Sequence, residues 1–367
     1  MELTFEINNK RLDSQFTQPK FNAKSQIVEI FSAITEGKDY SQYGKKVDTV
    51  VNHVKELANK AHAGDFTAKA ELNSIVRYTI EPHLEKQIQL FSFMGRFRDI
   101  PYNEQPMVQT YKHESLNADF QASSGDVGFS TTSWEEYPIN TKTISAGFAV
   151  DYREVASGNL DKIAEGKQQV QTVMMNKAMN YVVYQLYTGI KNATGIKYFS
   201  ENAGITKSAL DDALKKIRRF GRPSIAGDYS VVSQLSDFAG HQSTSPSITG
   251  LSEAVMEEIR LTGMLQTYNG SPVLELPNQY QTTQLNSAGD NFKTYLPEGL
   301  LFLIPQGNPV SPLQVFRRGG LTSMTGTSVE TGTEVTRYDM EIGAEVVRGR
   351  EYEIGLISDE NFAAPSY

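Results

Sequence analysis

The chain has 367 residues, 39% hydrophobic and 21% charged, enough for two or three subdomains and a sizeable core. It has no cysteine, which excludes disulfides, thiolate nucleophiles and cysteine-ligated zinc, and is compatible with a reducing cytoplasm. A net charge of −8 argues against direct nucleic-acid binding, which relies on Lys and Arg neutralising phosphates, but suits an acidic wall that avoids gripping what it encloses. No apolar run approaches the roughly 18 residues needed to span a membrane. The segment Met1–Glu6 lacks the basic and apolar regions of a secretory signal.

Residues 1–22 read as a polar arm. Ile27, Ile30, Phe31 and Ile34 then recur at helical spacing up to Gly37, and Val47, Val50, Val51, Val54, Leu57 and Ala58 predict a second helix. A third begins near Thr67 with Leu72, Ile75, Val76 and Ile80, and Pro82 kinks or ends it. Periodicity alone does not separate ordinary amphipathic helices from a region that regulates assembly.

Residues 100–152 change character. Met107–His113 alternate, and Ile144, Ala146, Phe148, Val150 and Tyr152 share one face on the return, so the two runs predict the arms of a long β-ribbon. Between them, 114–137 is rich in Ser, Thr, Gly and Asp, with Leu116, Phe120, Val127, Phe129 and the only tryptophan, Trp134, scattered through it. Such a loop is usually functional. An isolated two-stranded ribbon is marginal in water, so this one is expected to lie on another surface.

Residues 153–190 predict a long helix, and roughly 30 helical residues at 1.5 Å each would span about 45 Å. Leu160, Ile163, Val170, Val173, Met174, Ala178, Val182 and Leu186 form its stripe, Gly158-Asn159 precede it and Gly189 stops it. Gly166 and the missing e/g charge pattern argue against a coiled coil. Residues 205–310 read as mixed α/β: a helix from Ser208 with a basic end, a strand Tyr229–Ser233, a helix Ser252–Leu261, a hairpin turn at Asn269-Gly270, and strands Pro272–Leu276 and Leu300–Ile304. Gly319-Gly320 read as the start of a flexible loop. In the strand-rich remainder, Tyr338, Met340, Ile342, Ala344 and Val346 alternate with polar or small residues, as do Tyr352, Ile354 and Leu356. These late strands suggest a return to the first domain.

Catalytic chemistry is sparse. His53, His62, His83, His113 and His241 show no ligand spacing, Gly44-Lys45 leads into Lys46 where a phosphate loop needs Ser or Thr, and no nucleophile elbow occurs. Glu135-Glu136, Asp211-Asp212 and Glu257-Glu258 read as solvated faces or helix-start charges, although a glycosidase pair is decided only in space. Asn192 and Asn269 begin glycosylation sequons without an export signal beside them. Lys215, Lys216, Arg218 and Arg219 read as charges complementing a helix dipole, with phosphate contact as the rival. No catalytic, cofactor-binding or metal-binding residue is predicted, and the chain is not read as an enzyme. Trp134 reads as an intersubunit anchor.

The order arm, helices, ribbon, long helix, α/β insertion and final strands resembles the major capsid protein of tailed bacteriophages, with the Hong Kong 97 shell fold. Gly270-Ser271-Pro272-Val273 is similar to the axial-domain turn and strand, Tyr295–Leu301 to the strand after it, and Arg337–Val347 to the terminal peripheral strand. The resemblance implies an α+β fold with an N-terminal helical arm (1–98), an extended loop (99–152), a peripheral domain with a spine helix (153–204 and 311–367) and an axial domain (205–310). It implies self-assembly into hexamers and pentamers of an icosahedral virion shell, built in the host cytoplasm around double-stranded DNA that is held without sequence-specific binding. Scaffold, portal and decoration proteins are implied partners; no cofactor or membrane is. In this reading Phe120, Phe129, Trp134 and Tyr137 are interface candidates. Lys112 and Lys142 lie where some family members carry a crosslinking lysine, but no catalytic Glu or acceptor Asn is assignable. The alternatives are an encapsulin-like nanocompartment shell and a soluble carbohydrate-active enzyme.

Overall fold

The computed structural model describes residues 26–35, 43–44, 46–68, 70–72, 75, 95–113, 120, 132–150, 161–238, 263–286, 289–306, 311–327 and 334–366. The expected helix Ser252–Leu261, the polar arm and the tip residues Leu116, Val127 and Phe129 lie outside them. The chain divides into two compact units.

The first unit comprises Met1–Gln89, Ile144–Met175 and Leu321–Met340. Helices α1 (Gln26–Thr35) and α2 (Lys46–His62) pack together. Ile30, Val50, Val54, Leu57 and Ala58 are buried as the spacing predicts, Ile27, Val47 and Val51 are half-buried, and Val28 is buried from outside the predicted stripe. Phe148 stacks on Tyr338 at 6.2 Å, and Gly166 of the long helix lies directly against the Phe148 ring.

The second unit comprises Leu90–Thr143, Asn176–Gly320 and Glu341–Tyr367. Its centre is a six-stranded sheet in the order β5-β14-β11-β6-β8-β7. The strands are β5 (Tyr198–Asn202), β6 (Arg222–Gly227), β7 (Thr267–Tyr268), β8 (Ser271–Glu275), β11 (Leu300–Gln306) and β14 (Gly355–Asp359). β11 is a continuous apolar run with Leu300–Ile304 wholly buried, the pattern of a strand covered on both faces. Burying each such side chain contributes about 1.5–3 kcal/mol. Helix α4 (Lys207–Ile217) sets Leu210, Leu214 and Ile217 against Leu301, Leu303 and Ile357. Its first turn is capped by Thr206, whose hydroxyl accepts from Ala209 N. β5 and β14 join this sheet from outside the 205–310 segment.

Several features differ from the sequence expectation. The run 229–233 is not a strand: α5 (Tyr229–Val232) is one helical turn, followed by α6 (Gln234–Phe238). Asp228 caps α5 by accepting from Ser230 N at 2.9 Å, which outweighs the β propensity of two valines. The strand instead is β6, which contains Pro223. Pro223 pairs opposite Pro305, a position where neither residue needs an N–H, and its other neighbour β8 begins to pair only at Ile225. The run 351–356 is not an alternating strand: Glu351–Glu353 form a 3-10 turn, and β14 follows it with all five residues buried.

A further difference is the second arm of the ribbon. β4 (Lys142–Val150) does not pair with β2 (Met107–His113); it belongs to a four-stranded sheet ordered β1-β12-β13-β4. The other members are β1 (Arg96–Ile100), β12 (Leu313–Thr327) and β13 (Glu334–Val346). An alternating strand declares which face is buried but not its partner. The late strands do return to the earlier segment, and Tyr338, Met340, Ile342, Ala344 and Val346 are all buried. Gly319 and Gly320 do not open a loop: β12 runs through them with φ of 71° and 70°, a local break in its pleat.

The long helix α3 (Asp161–Lys191) has 31 residues, and Gly189 lies inside it. A Cβ at Gly189 would stand 2.8 Å from Val346 Cγ2, so the glycine is a packing requirement and not a stop signal. Val346 is β-branched and cannot swing aside cheaply. Gly189→Ala is therefore expected to destabilise by about 1–3 kcal/mol, despite the roughly 1 kcal/mol gained in helix propensity. Urea unfolding followed by circular dichroism measures this, and adding Val346→Ala is expected to recover part of the loss through coupling.

Where β6, α5 and the lead into β11 meet, Asn278 accepts from Leu296 N and donates to Leu296 O and Asp228 Oδ2. Burial, followed by the neighbouring Asp228 carboxylate, raises the Glu298 pKa above its ordinary value. A raised folded value favours the protonated form, so its contribution is full below the ordinary carboxylate range and lost as pH rises through the raised value. Glu298→Gln is expected to be more stable than the parent at about pH 8, with the gap closing towards about pH 4 where both side chains are neutral. Urea midpoints at the two pH values measure this; an unchanged gap contradicts it.

Candidate interaction ribbon

β2 and β3 (Thr132–Pro138) form a separate antiparallel two-stranded sheet. The register sets Val108 against Tyr137, Thr110 against Glu135, Tyr111 against Trp134 and Lys112 against Ser133. Ile139 N donates to Pro106 O at 3.0 Å and closes the root.

The two faces of the ribbon differ. At its root, Val108, Tyr137 and Ile139 pack with Phe316 and Val347, with Ile100 alongside. Tyr137 is 6% exposed; its hydroxyl accepts from Arg348 N at 3.0 Å, and the Arg348 guanidinium lies 4.3 Å from its ring centroid. Burial raises the pKa of the Tyr137 phenol, and the bond from Arg348 N partly offsets it. Beside this cluster, Arg98 lies over the Phe316 ring at 4.6 Å and donates to Gln314 Oε1 and Met107 O. Side chains alternate along a strand, so Trp134 falls on the opposite face, where it is 63% exposed. On that face Gln109 donates to Glu136.

The candidate residues therefore separate. Trp134 is presented outward on the ribbon, and Phe120 is fully exposed. Phe129 lies outside the described residues. Tyr137 is not available at the surface: it is the internal anchor of the ribbon, because its strand parity turns it towards Phe316. Lys112 occupies a register position on the ribbon, whereas Lys142 is exposed on β4 and belongs to the other sheet. The anchoring role of Arg348 has no local sequence signal. A second exposed hairpin, β9 (Tyr280–Leu285) with β10 (Phe292–Thr294), was legible in the turn residues Asn286-Ser-Ala-Gly-Asp290, which the sequence reading passed over.

Among the described residues no group of three or more His, Asp or Glu is placed to hold a metal ion, and no helix is long and apolar enough to cross a membrane.

Residues 10–358 match the family described as "SPbeta prophage-derived putative capsid protein YonB". The chain belongs to this capsid protein family. The fold is α+β, and membership of this family makes the chain a structural protein of a viral shell. No curated relative matches the sequence. Among solved structures, the chain is similar to one from Mycobacterium phage Che8 at 11% identity and TM-score 0.43, over 70% of this chain and 85% of that one. It is similar to the capsid of cyanophage P-SCSP1u at 12% and 0.47, over 75% and 88%. It is also similar to the SrpI encapsulin complex from Synechococcus elongatus at 10% and 0.47, over 76% and 91%.

Tyr137→Phe is expected to loosen the ribbon root by about 1 kcal/mol, through loss of one hydrogen bond. Tyr137→Ala is expected to cost about 3–5 kcal/mol, through loss of the ring. Amide exchange at Val108 and Ile139 reads both, and faster exchange in Ala than in Phe is the expected order.

Proposed function

We propose that this chain is a major capsid protein that assembles in rings of five and six into an icosahedral shell around double-stranded DNA. The ribbon β2–β3 serves as the extended loop and lies across a neighbouring subunit. The observation that carries this reading is the division of faces: the root is fixed inside its own subunit, while Trp134 stands exposed on the opposite face. A large aromatic held out on a rooted ribbon is suited to act as an interface hot spot. Phe120, which is exposed, and Phe129 are further interface candidates. Lys112 and Lys142 are candidates for contact with a neighbouring subunit.

In this reading residues 1–98 form the N-terminal arm, and α3 is the spine of the peripheral domain. The 205–310 segment, with β5 and β14, forms the axial domain. The work is binding and involves no catalysis or cofactor. DNA is enclosed without sequence-specific contacts, as the net charge of −8 suits. Assembly takes place in the host cytoplasm, with scaffold, portal or decoration proteins as partners.

Trp134→Ala is expected to leave the subunit folded and to lower particle yield at least tenfold, measured by sedimentation and electron microscopy. Phe120→Ala is expected to have a smaller effect. Normal particle yield from the double variant refutes the ribbon's role.

A further inference from the structure

Two surface features of the second unit stand exposed among the described residues. The first is the hairpin β9–β10. Its register places Phe292 opposite Leu285, and the Tyr280 and Phe292 rings lie 6.5 Å apart. These three apolar side chains are 53% (Tyr280), 60% (Leu285) and 44% (Phe292) exposed. The loop between the strands is pinned: the Asn286 side chain accepts from Gly289 N at 2.8 Å and donates to Asp290 Oδ1 at 2.7 Å. Asp290 therefore stands at the tip with an amide, not a cation, beside it. Lys293 lies further along, opposite Gln281.

The second is a groove of about 360 Å³ lined by Asp211, Leu214, Lys215, Arg218 and Asn269. Asp211 is occupied within it, accepting from Lys207 Nζ, Tyr268 OH and Asn269 Nδ2 at 2.9–3.0 Å. Lys215 and Arg218 meet no carboxylate at ion-pair distance among the described residues. The groove is thus cationic, with the apolar stems of two long side chains on its wall.

The sheet places these features apart. α4 ends just before β6 starts, and Arg222 Nε donates to Gly270 O at 2.7 Å, so the groove lies at the start of β6 and β8. The hairpin leaves from the far end, where Leu276 N donates to Gly227 O, and it leads into β11, whose Leu301 lies opposite Gly227. Those ends are about 17 Å apart along β6, at ~3.3 Å per residue. The two features of one chain are therefore held apart. Two different patches that match each other across copies make a heterologous contact, the kind that closes rings.

We infer that the β9–β10 hairpin of one copy seats in the α4 groove of the next, with Asp290 meeting Lys215 and Arg218 and with Tyr280, Leu285 and Phe292 covered. This rests on the self-assembly proposed above. Nucleic acid would account for the cations of the groove, but it leaves the apolar hairpin uncovered.

The cysteine-free background allows a direct test. A chain carrying both Asp290→Cys and Lys215→Cys, oxidised after assembly, is expected to run as a ladder of disulfide-linked multimers on a non-reducing gel. Either single variant is expected to give no species beyond dimer. Charge reversal supplies the second arm. Asp290→Lys, or Lys215→Glu with Arg218→Glu, is expected to lower assembly at least tenfold, and the combined variant is expected to restore most of it. Light scattering that shows oligomers without a ladder overturns this contact and leaves self-assembly standing. A chain that stays monomeric overturns both. If Lys215→Glu with Arg218→Glu lowers only the DNA content of otherwise normal particles, the groove serves nucleic acid and the inference falls.

Discussion

A two-stranded ribbon can be rooted in its own subunit on only one face, and the exposed surface of this one follows from that constraint. Val108 and Tyr137 use the inner face, packing with Phe316 and Val347. What remains is an outer face with Trp134 on it and little of its own chain to cover it. Side chains repeat every two residues, so a slip of one position would bury Trp134 and expose Tyr137. The hydrogen bond from Arg348 N to the Tyr137 hydroxyl resists that slip, because the phenol meets its partner in one register only. The ribbon is thus directed before it meets anything else, which reduces the entropy lost on docking.

The six-stranded sheet supplies the complementary property, stiffness. β11 is buried throughout, and Pro223 stands opposite Pro305 where the ladder asks for no donor. Asn278 ties the Leu296 backbone to Asp228, much as a neighbouring strand would. A bar built this way can carry different chemistry at its two ends without either end shifting the other.

Much of this was legible in the sequence, and the parts that were not share a cause. The helix Asp161–Lys191, the buried run Leu300–Ile304, the alternation Tyr338–Val346 and the turn Asn269-Gly270 each rest on a local period or on local turn chemistry. The turn appears as expected, with Asn269 and Gly270 at φ of 47° and 75°. Pairing is not local. β4 alternates as an arm of the ribbon should, yet its partner is β13, because the facing strand is chosen by distant packing. Trp134 and Tyr137 lie three residues apart on one strand, so parity separates their faces. Which face is rooted depends on Phe316 and Val347, far along the chain. Pro223 concealed β6 for the opposite reason, since a strong local signal against a strand gave way to a ladder position that tolerates it.

A short hairpin seated in one groove is a small contact, whereas a lasting pairwise interface usually buries roughly 1,000 Å² or more. Charge at such a contact contributes more to orientation than to affinity. That matches what a closing ring requires. Each joint must set an angle while remaining weak enough to open, and stability comes when several joints and the ribbons act together. Linking weak contacts in this way multiplies their strength without new chemistry. The cations of Lys215 and Arg218, on a chain whose net charge is −8, then have a specific part: they mark one end of an acidic subunit as the end that accepts the next copy.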